Sequence, residues 1–562
     1  MARMPHVPFA VWTSSVAALV AMLVATLIPM AARAAPALET VLKQRFEGDR
    51  TGACVVAALI ERDTVQRARY CARSRDPVPA DAAFEIGSIS KTMLGLLVAD
   101  QVEAGRWSLD DPVVRHLPPG TTAPQQGTRQ ITLRDLVTHS SGLPPLPALM
   151  RPARRDDPYA TLTEAQLLES LQQATLSGPI GAQPAYSNFG AMLVSLAVAR
   201  AHGGDLEAAL RSRLFEPLGM RGAHVRQVPA GVPVAQGHAS HGAPTARWTV
   251  APALAGVGMV RATLDDMVRY AQALLLRPDA AMRRAMQPVA HGFGHFWALR
   301  PAGGDTLVLH EGGTGGFSSA LVLQPARQRA VVLLADTALA DLGGLGDVAA
   351  TLLELRPAPQ PPRRAAPLPA SLRDALLGDY ELPGGTGTLH ADPRDGRLLL
   401  RTPGLGEVAL LHDDRGDLYP ASGFDALITP QRDGNRVSGL MLRVGGGMIE
   451  SRRAGVAVTP PAARNPAWAA WAGEYALLPG FDLRVFERDG QLMVQGTGQP
   501  AIAAAVRGDD HVEIAAVGAV IRFQRDAEGR VTGLVLTQNG QTLPARRKAP
   551  PPAATAPSTS RP

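Results

Sequence analysis

Part of this chain is written twice. Gly378-Asp379-Tyr380 returns as Gly473-Glu474-Tyr475, Asp395-Gly396-Arg397-Leu398 as Asp489-Gly490-Gln491-Leu492, Val437-Ser438-Gly439-Leu440 as Val531-Thr532-Gly533-Leu534, and Arg452-Arg453 as Arg546-Arg547, at offsets of 95, 94, 94 and 94 residues. A near-constant offset at four separate places requires two homologous units in tandem, each about ninety residues long. Their short runs of alternating hydrophobicity are broken by Asp-Gly and Gly-rich turns, the pattern of antiparallel strands, so each is expected to be a small closed β-barrel. The units span 371–455 and 466–548. Ahead of them, Arg356-Pro357-Ala358-Pro359-Gln360-Pro361-Pro362-Arg363-Arg364 predicts a stiff linker over 356–370. The Pro/Ala/Ser/Thr tail, 549–562, predicts disorder.

The remaining length must fold differently. With 562 residues in all and about 150 residues per domain as a guide, residues 36–355 make a larger unit of their own. Before it, Arg3 and His6, an apolar run from Val16 to Met30, and Ala32-Arg33-Ala34 stand in the order of a secretory signal. Residues 1–35 are therefore read as a signal peptide cleaved near Ala34, and the protein as periplasmic or secreted. The alternative is an uncleaved anchor, because the run is near the lower limit for crossing a bilayer. An exported chain meets oxidising conditions, and its two cysteines lie in strand-like runs at equal distance from Arg62-Asp63. If those two residues form the hairpin turn, Cys54 falls opposite Cys71, and the pair is either a cross-strand disulfide or two buried thiols. Two Cys and scattered His give no basis for a metal site. The net charge of +6 comes from Arg spread along the chain rather than from a basic run with aromatics, so nucleic acid is not an expected partner. Clusters such as Arg363-Arg364 are read as solvated loops.

The same arginine excess isolates one residue. Of 56 Lys plus Arg residues only Lys43, Lys91 and Lys548 are lysine. A Lys in such a chain points to an amine that must lose its proton when desolvated, as Arg effectively cannot. Lys91 follows Ser88 by three residues in Phe84-Glu85-Ile86-Gly87-Ser88-Ile89-Ser90-Lys91-Thr92, ahead of an apolar run closed by Gly105 that reads as a buried helix. Residues i and i+3 share a helix face, which sets a hydroxyl beside an amine. Burial lowers the amine's pKa, and a neutral Lys can take the hydroxyl proton to activate a nucleophile. Alone, the spacing fits a helix-capping Ser followed by a surface Lys just as well.

Two further clusters carry chemistry. Gln183-Pro184-Ala185-Tyr186-Ser187-Asn188-Phe189-Gly190 enters a helical run, offering a phenol that a cationic Lys would depress toward ionisation and an amide able to hold a substrate carbonyl or N–H. A plain loop Tyr and a helix-capping Asn explain the same residues. Further on, Thr306-Leu307-Val308-Leu309-His310-Glu311-Gly312-Gly313-Thr314-Gly315-Gly316 runs from a strand into glycines that permit close approach of a ligand backbone. His139 and the His238/His241 pair are read as structural.

Taken in order and spacing, these three clusters resemble the serine β-lactamase and penicillin-binding protein family, in its class C and D-peptidase-like branch (peptidase family S12). Ile131-Thr132-Leu133-Arg134-Asp135-Leu136-Val137-Thr138-His139-Ser140-Ser141-Gly142-Leu143 and Gly256-Val257-Gly258-Met259-Val260-Arg261-Ala262-Thr263 add to the likeness, which covers about residues 40 to 355. The resemblance implies an α/β (α+β) domain with a central antiparallel sheet, followed here by the two antiparallel, lipocalin-like barrels, and no cofactor. It implies Ser88 as nucleophile, Lys91 as its proton partner and Tyr186 as general base. Asn188, His310 and Gly312 would bind substrate, and the backbone N–H groups of Ser88 and Gly313 would form the oxyanion hole, with each donor worth roughly 3–4 kcal/mol in the transition state.

One departure matters. Where most β-lactamases and transpeptidases of this family have Lys-Thr-Gly, this chain has His310-Glu311-Gly312. A lysine there would hold a substrate carboxylate at ordinary pH, whereas His is largely neutral above about pH 7, so carboxylate-bearing β-lactams are expected to bind poorly. Paired barrels after such a domain resemble the D-aminopeptidases, in which a barrel loop limits access to the cleft. Leu477-Leu478-Pro479-Gly480-Phe481-Asp482 is the corresponding candidate, with Asp482 toward a substrate ammonium or in a plain surface turn. The expected activity is hydrolysis, through an acyl-enzyme on Ser88, of small amides or peptides, D-amino-acid substrates favoured. The alternatives are an esterase or weak β-lactamase on the same site, and a non-catalytic sensor or scaffold for peptidoglycan fragments. The expected partner is a small peptide, amide or ester substrate, with no stable membrane insertion after cleavage.

Overall fold

The computed structural model describes residues 37–548 except 73–77, 155, 303, 383–384, 404–405, 434–435, 446, 456–465, 479–480, 489–490, 498–500, 515–518 and 539–540. The predicted signal (1–35), the predicted tail (549–562), the junction 456–465 and Pro479-Gly480 of the candidate gating loop lie outside the described residues. Among those described, no helix is long and apolar enough to cross a membrane.

A six-stranded sheet, antiparallel throughout, organises the first unit. Its order is Thr64–Cys71, Cys54–Glu61, Arg329–Ala335, Ser318–Gln324, Asp305–Gly313 and Ala298–Ala302. The inner strands read as unbroken apolar runs because both of their faces are covered, and the two-residue period of a strand sends alternate side chains to different cores. Val56, Ala58 and Ile60 join one core with Val332 and Leu334, while Val55, Ala57 and Leu59 join another with Val331 and Leu333. The smaller core is closed by the helices Leu38–Phe46 and Gly346–Leu352; the larger holds the helices Ser90–Glu103, Asn188–Ala201 and Leu264–Leu276. Arg62 takes a left-handed φ of 54° in the tight turn between the first two strands. Cys54 then pairs with Cys71 in the register, and the two are joined as a disulfide with a Cα–Cα distance of 3.9 Å.

Two antiparallel barrels follow, and the repeated residues are the ones that close them. In the first, eight strands run in sequence from Gly378–Leu382 to Gly447–Arg452, with closure marked by an antiparallel bridge between Tyr380 and Arg453. In the second, nine strands form a nearly closed sheet in which Gly473–Leu478 meets Gln541–Arg547 through Tyr475 and Arg547. The Arg453 guanidinium donates to the carbonyls of Ala375, Leu377 and Val437, and that of Arg547 to those of Ala472 and Val531. Each Tyr hydroxyl donates to the last turn of the helix before its barrel, Tyr380 to Leu376 at 2.8 Å and Tyr475 to Trp471 at 2.6 Å. A Cβ on Gly378 or Gly473 would sit 3.2 or 2.9 Å from the arginine, so Gly-x-Tyr and Arg-Arg recur because they form one interlocking closure.

The Pro-rich segment differs from a free linker. Arg363, expected in a solvated loop, is buried, donating to Asp413 at 2.8 Å and Asp417 at 2.6 Å, and its carbonyl accepts from Arg50 N–H. Ala365–Ala366 adds a short strand to the first barrel. Burying a guanidinium is costly unless carboxylates pair with it, and here two aspartates of the barrel do.

Candidate active site

Ser88 sits in a single 3-10 turn, Gly87–Ile89, that leads into the buried helix Ser90–Glu103. Ser90, the first residue of that helix, fixes the entry: its hydroxyl donates to Gly87 O at 2.7 Å and accepts from Val260 N–H at 3.1 Å. One turn after Ser88, Lys91 is fully buried, with Nζ 2.9 Å from Ser88 Oγ and bonded to the carbonyl of Val257. Among the described residues no carboxylate pairs with it, and burial lowers its pKa to about 7. The amine is therefore a proton acceptor near neutrality.

Tyr186 comes from the loop before the helix Asn188–Ala201 and donates its hydroxyl to Ser88 Oγ at 2.6 Å. Lys91 Nζ lies 5.1 Å from the centroid of the phenol ring. A cationic Lys would depress this phenol, as its sequence neighbourhood predicts, but removal of the hydroxyl from water raises its pKa instead. The residue as a whole is still 47 % exposed, which tempers that rise without reversing it. With Lys91 tending to neutrality and Tyr186 to the protonated form, Ser88 Oγ rests between an amine and a phenol donor. Ser187, not Asn188, caps the helix, through its hydroxyl and Gly190 N–H at 3.0 Å. That leaves the Asn188 amide free of capping: Nδ2 donates to Tyr159 OH at 3.2 Å, and Oδ1 is buried with no hydrogen-bond partner among the described residues.

The end of strand Asp305–Gly313 passes against the Ser88 turn at a distance only glycine allows. A Cβ on Gly312 would fall 2.1 Å from Ile86 O, and one on Gly87 2.6 Å from Gly313 N. This close packing brings the backbone of Gly313 up to that of Gly87, the residue before Ser88. The buried His310 ring binds Glu311 O through Nδ1 at 2.6 Å, so Nδ1 carries the proton. Burial, with the charge of Lys91 adding, holds its pKa at about 4, leaving the ring neutral over the whole ordinary pH range.

The other histidines have partners far along the chain. His241 Nδ1 meets Asp425 of the first barrel at 3.3 Å, and His238 Nδ1 lies 3.5 Å from Asp336. Asp482, the candidate for a substrate ammonium, is instead ion-paired with Lys548 of its own barrel. Sequence reading missed Val257 O, Ser90, Tyr159 and the contacts of His139; the Thr138-His139-Ser140-Ser141-Gly142 string was the available signal for the last.

The Beta-lactamase family profile matches residues 38–352. A penicillin-binding protein 4 of Amycolatopsis lactamdurans is 28% identical over 344 residues, covering 55% of this chain and 87% of that protein. The D-alanyl-D-alanine-carboxypeptidase/endopeptidase AmpH of Escherichia coli (strain K12) is 32% identical over 144 residues, 25% of this chain and 36% of that protein. Among solved structures, a Yersinia pestis β-lactamase/D-alanine carboxypeptidase complexed with citrate aligns with a TM-score of 0.48 at 19% identity, covering 57% of this chain and 97% of that one. With Ser88, Lys91 and Tyr186 converging in the part that the profile spans, the chain belongs to the β-lactamase and penicillin-binding protein family and is a serine hydrolase of that family.

Proposed function

We propose that this protein is an exported hydrolase that cleaves small amides or peptides of D-amino acids through an acyl-enzyme on Ser88. The observation that carries the reading is Ser88 Oγ held at 2.9 Å from Lys91 Nζ and 2.6 Å from Tyr186 OH. In acylation Ser88 Oγ attacks the carbonyl carbon and its proton passes to the neutral Lys91 amine. Negative charge on the carbonyl oxygen is met by the N–H groups of Ser88 and Gly313, and the leaving amine takes a proton from the Tyr186 phenol. Tyr186, left as phenolate, takes a proton either from the Lys91 ammonium or from the water that attacks the ester, in which case Lys91 returns its proton to Ser88 Oγ as the acyl–oxygen bond breaks. Asn188 Oδ1, a buried acceptor, suits a substrate amide N–H.

The D-residue preference is supported by relatives named for D-alanyl-D-alanine chemistry and by the tandem barrels. Export is supported by the Cys54–Cys71 disulfide. A neutral His310 offers no cation to a substrate carboxylate, which favours amides and esters without one over penicillins. The test is a panel of D- and L-alanyl anilides, free and N-acetylated, with benzylpenicillin beside them. Hydrolysis of D-alanyl anilides ahead of the L-forms, lost in Ser88→Ala, is expected. Equal rates on both enantiomers would remove the D-residue reading, and unchanged turnover in Ser88→Ala would remove the acyl-enzyme.

A further inference from the structure

His139 belongs to the loop after the short helix Leu133–Val137, 47 residues before Tyr186, and touches neither Ser88 nor Lys91 through any hydrogen bond. Its relation to Tyr186 is nonetheless close on three counts. The carbonyl of His139 accepts from Ala185 N–H at 2.7 Å, the residue before Tyr186. Its Nδ1 accepts from Ser187 N–H at 3.3 Å, the residue after. Its ring lies on the phenol between these two bonds, with centroids 4.5 Å apart and planes inclined by 35°.

Holding the loop at both flanks and at the ring asks for an unusual backbone. His139 has φ of +57°, a left-handed conformation that costs a side chain other than Gly or Asn, and it is 2 % exposed. Accepting a backbone N–H at Nδ1 forces the ring proton onto Nε2, which is buried with no hydrogen-bond partner among the described residues. Phe293 and Phe296, at 5.8 and 5.4 Å between centroids, wall the ring in and leave it one orientation. Strain and an unsatisfied donor together mark a residue kept for its placement rather than for local stability.

We infer that His139 is a positioning residue for Tyr186, fixing the phenol hydroxyl on Ser88 Oγ by gripping both neighbours and the ring itself. The inference rests on the acyl-enzyme reading of Ser88. Tyr186 has an open face toward solvent, so a loop that lost this grip would let the hydroxyl drift, and a displacement of about 1 Å costs on the order of a hundredfold in rate.

The test is a double-mutant cycle on the labelling of Ser88 by a fluorophosphonate, with melting temperature recorded for each variant. In His139→Ala the maximal labelling rate falls on the order of a hundredfold while the half-saturating probe concentration stays within about threefold. His139→Asn, which tolerates the left-handed backbone and keeps an acceptor near Nδ1, retains more of the rate. In a Tyr186→Phe background, where there is no hydroxyl left to place, adding His139→Ala lowers the rate by less than about threefold, the non-additivity expected of residues acting as one unit. The cycle is run with His139→Gly, which accepts the left-handed backbone but removes the ring and its acceptor, if the Ala variant fails to fold. The same fold-loss in both backgrounds, or a wild-type rate in a folded His139→Ala, overturns the inference. Were Ser88 never labelled in the wild type, the acyl-enzyme reading and the clamp would fall together, whereas additive losses in a labelled enzyme overturn the clamp alone.

Discussion

An amine sealed in a protein interior without a carboxylate cannot hold its proton cheaply, and Lys91 is such an amine. Its folded pKa of about 7 lies well below that of an unfolded lysine, so the folded state binds fewer protons there. The cost is present in full below about pH 7 and fades as pH rises toward the unfolded value. Lys91→Met is accordingly expected to be inactive yet to melt higher than the wild type at pH 6, by a margin that shrinks toward pH 9; thermal melts at the two pH values check both the sign and the trend. The same shift sets the activity profile. If neutral Lys91 accepts the Ser88 proton, the second-order labelling rate should rise with pH through an apparent pKa near 7, and stopped-time labelling across pH 5.5 to 9 measures it. Ser88 and Lys91 were legible from sequence because a helix turn fixes their relation within four residues. His139 was not, because its partners, the Tyr186 loop and two phenylalanines, come from elsewhere in the chain.

Elements set the distances that residues then use. The strand ending at Gly313 and the turn Gly87–Ile89 touch with no room for a Cβ, so Gly312→Ala must push the strand away from Ile86 O, Ser319 Oγ being the other neighbour at 2.4 Å. A loss of labelling rate above about a hundredfold is expected, far beyond the effect on folding, and is read by comparing labelling with melting temperature. The edge hairpin makes an independent prediction. The Cys54–Cys71 bridge closes a loop with a sequence separation of 17, and Cys71→Ser should lower unfolding stability by about 3 kcal/mol in urea, an effect matched by reducing the wild type. Its register could be read from sequence because a two-residue turn leaves one way to align equal arms. The strand order beyond that hairpin could not, since Arg329–Ala335 joins Cys54–Glu61 across some 270 residues of chain.

For the whole molecule, the first barrel is docked on the catalytic unit by buried charge rather than tethered by a linker. Arg50 of the catalytic unit reaches Asp413 at 3.5 Å and lies 3.7 Å over the Tyr419 ring, while Arg363 reaches the same Asp413 and Asp417. The Arg50 and Asp413 side chains are sealed from solvent, so Asp413→Ala strands the Arg50 guanidinium, leaves Arg363 with Asp417 alone, and is expected to cost about 3–5 kcal/mol. Limited proteolysis should then cut within 356–370, where the wild type resists. The tandem barrels announced themselves through their repeat, whereas this interface left no sequence signal because an Arg in a solvated loop and an Arg between two aspartates are spelled alike. All of these arrangements bear on one centre, and intact-mass spectrometry after fluorophosphonate treatment tests it most directly. A single adduct on the wild type that maps to Ser88 and is absent from Ser88→Ala is predicted; an unmodified wild type, or an adduct that persists in Ser88→Ala, would contradict a Ser88 acyl-enzyme.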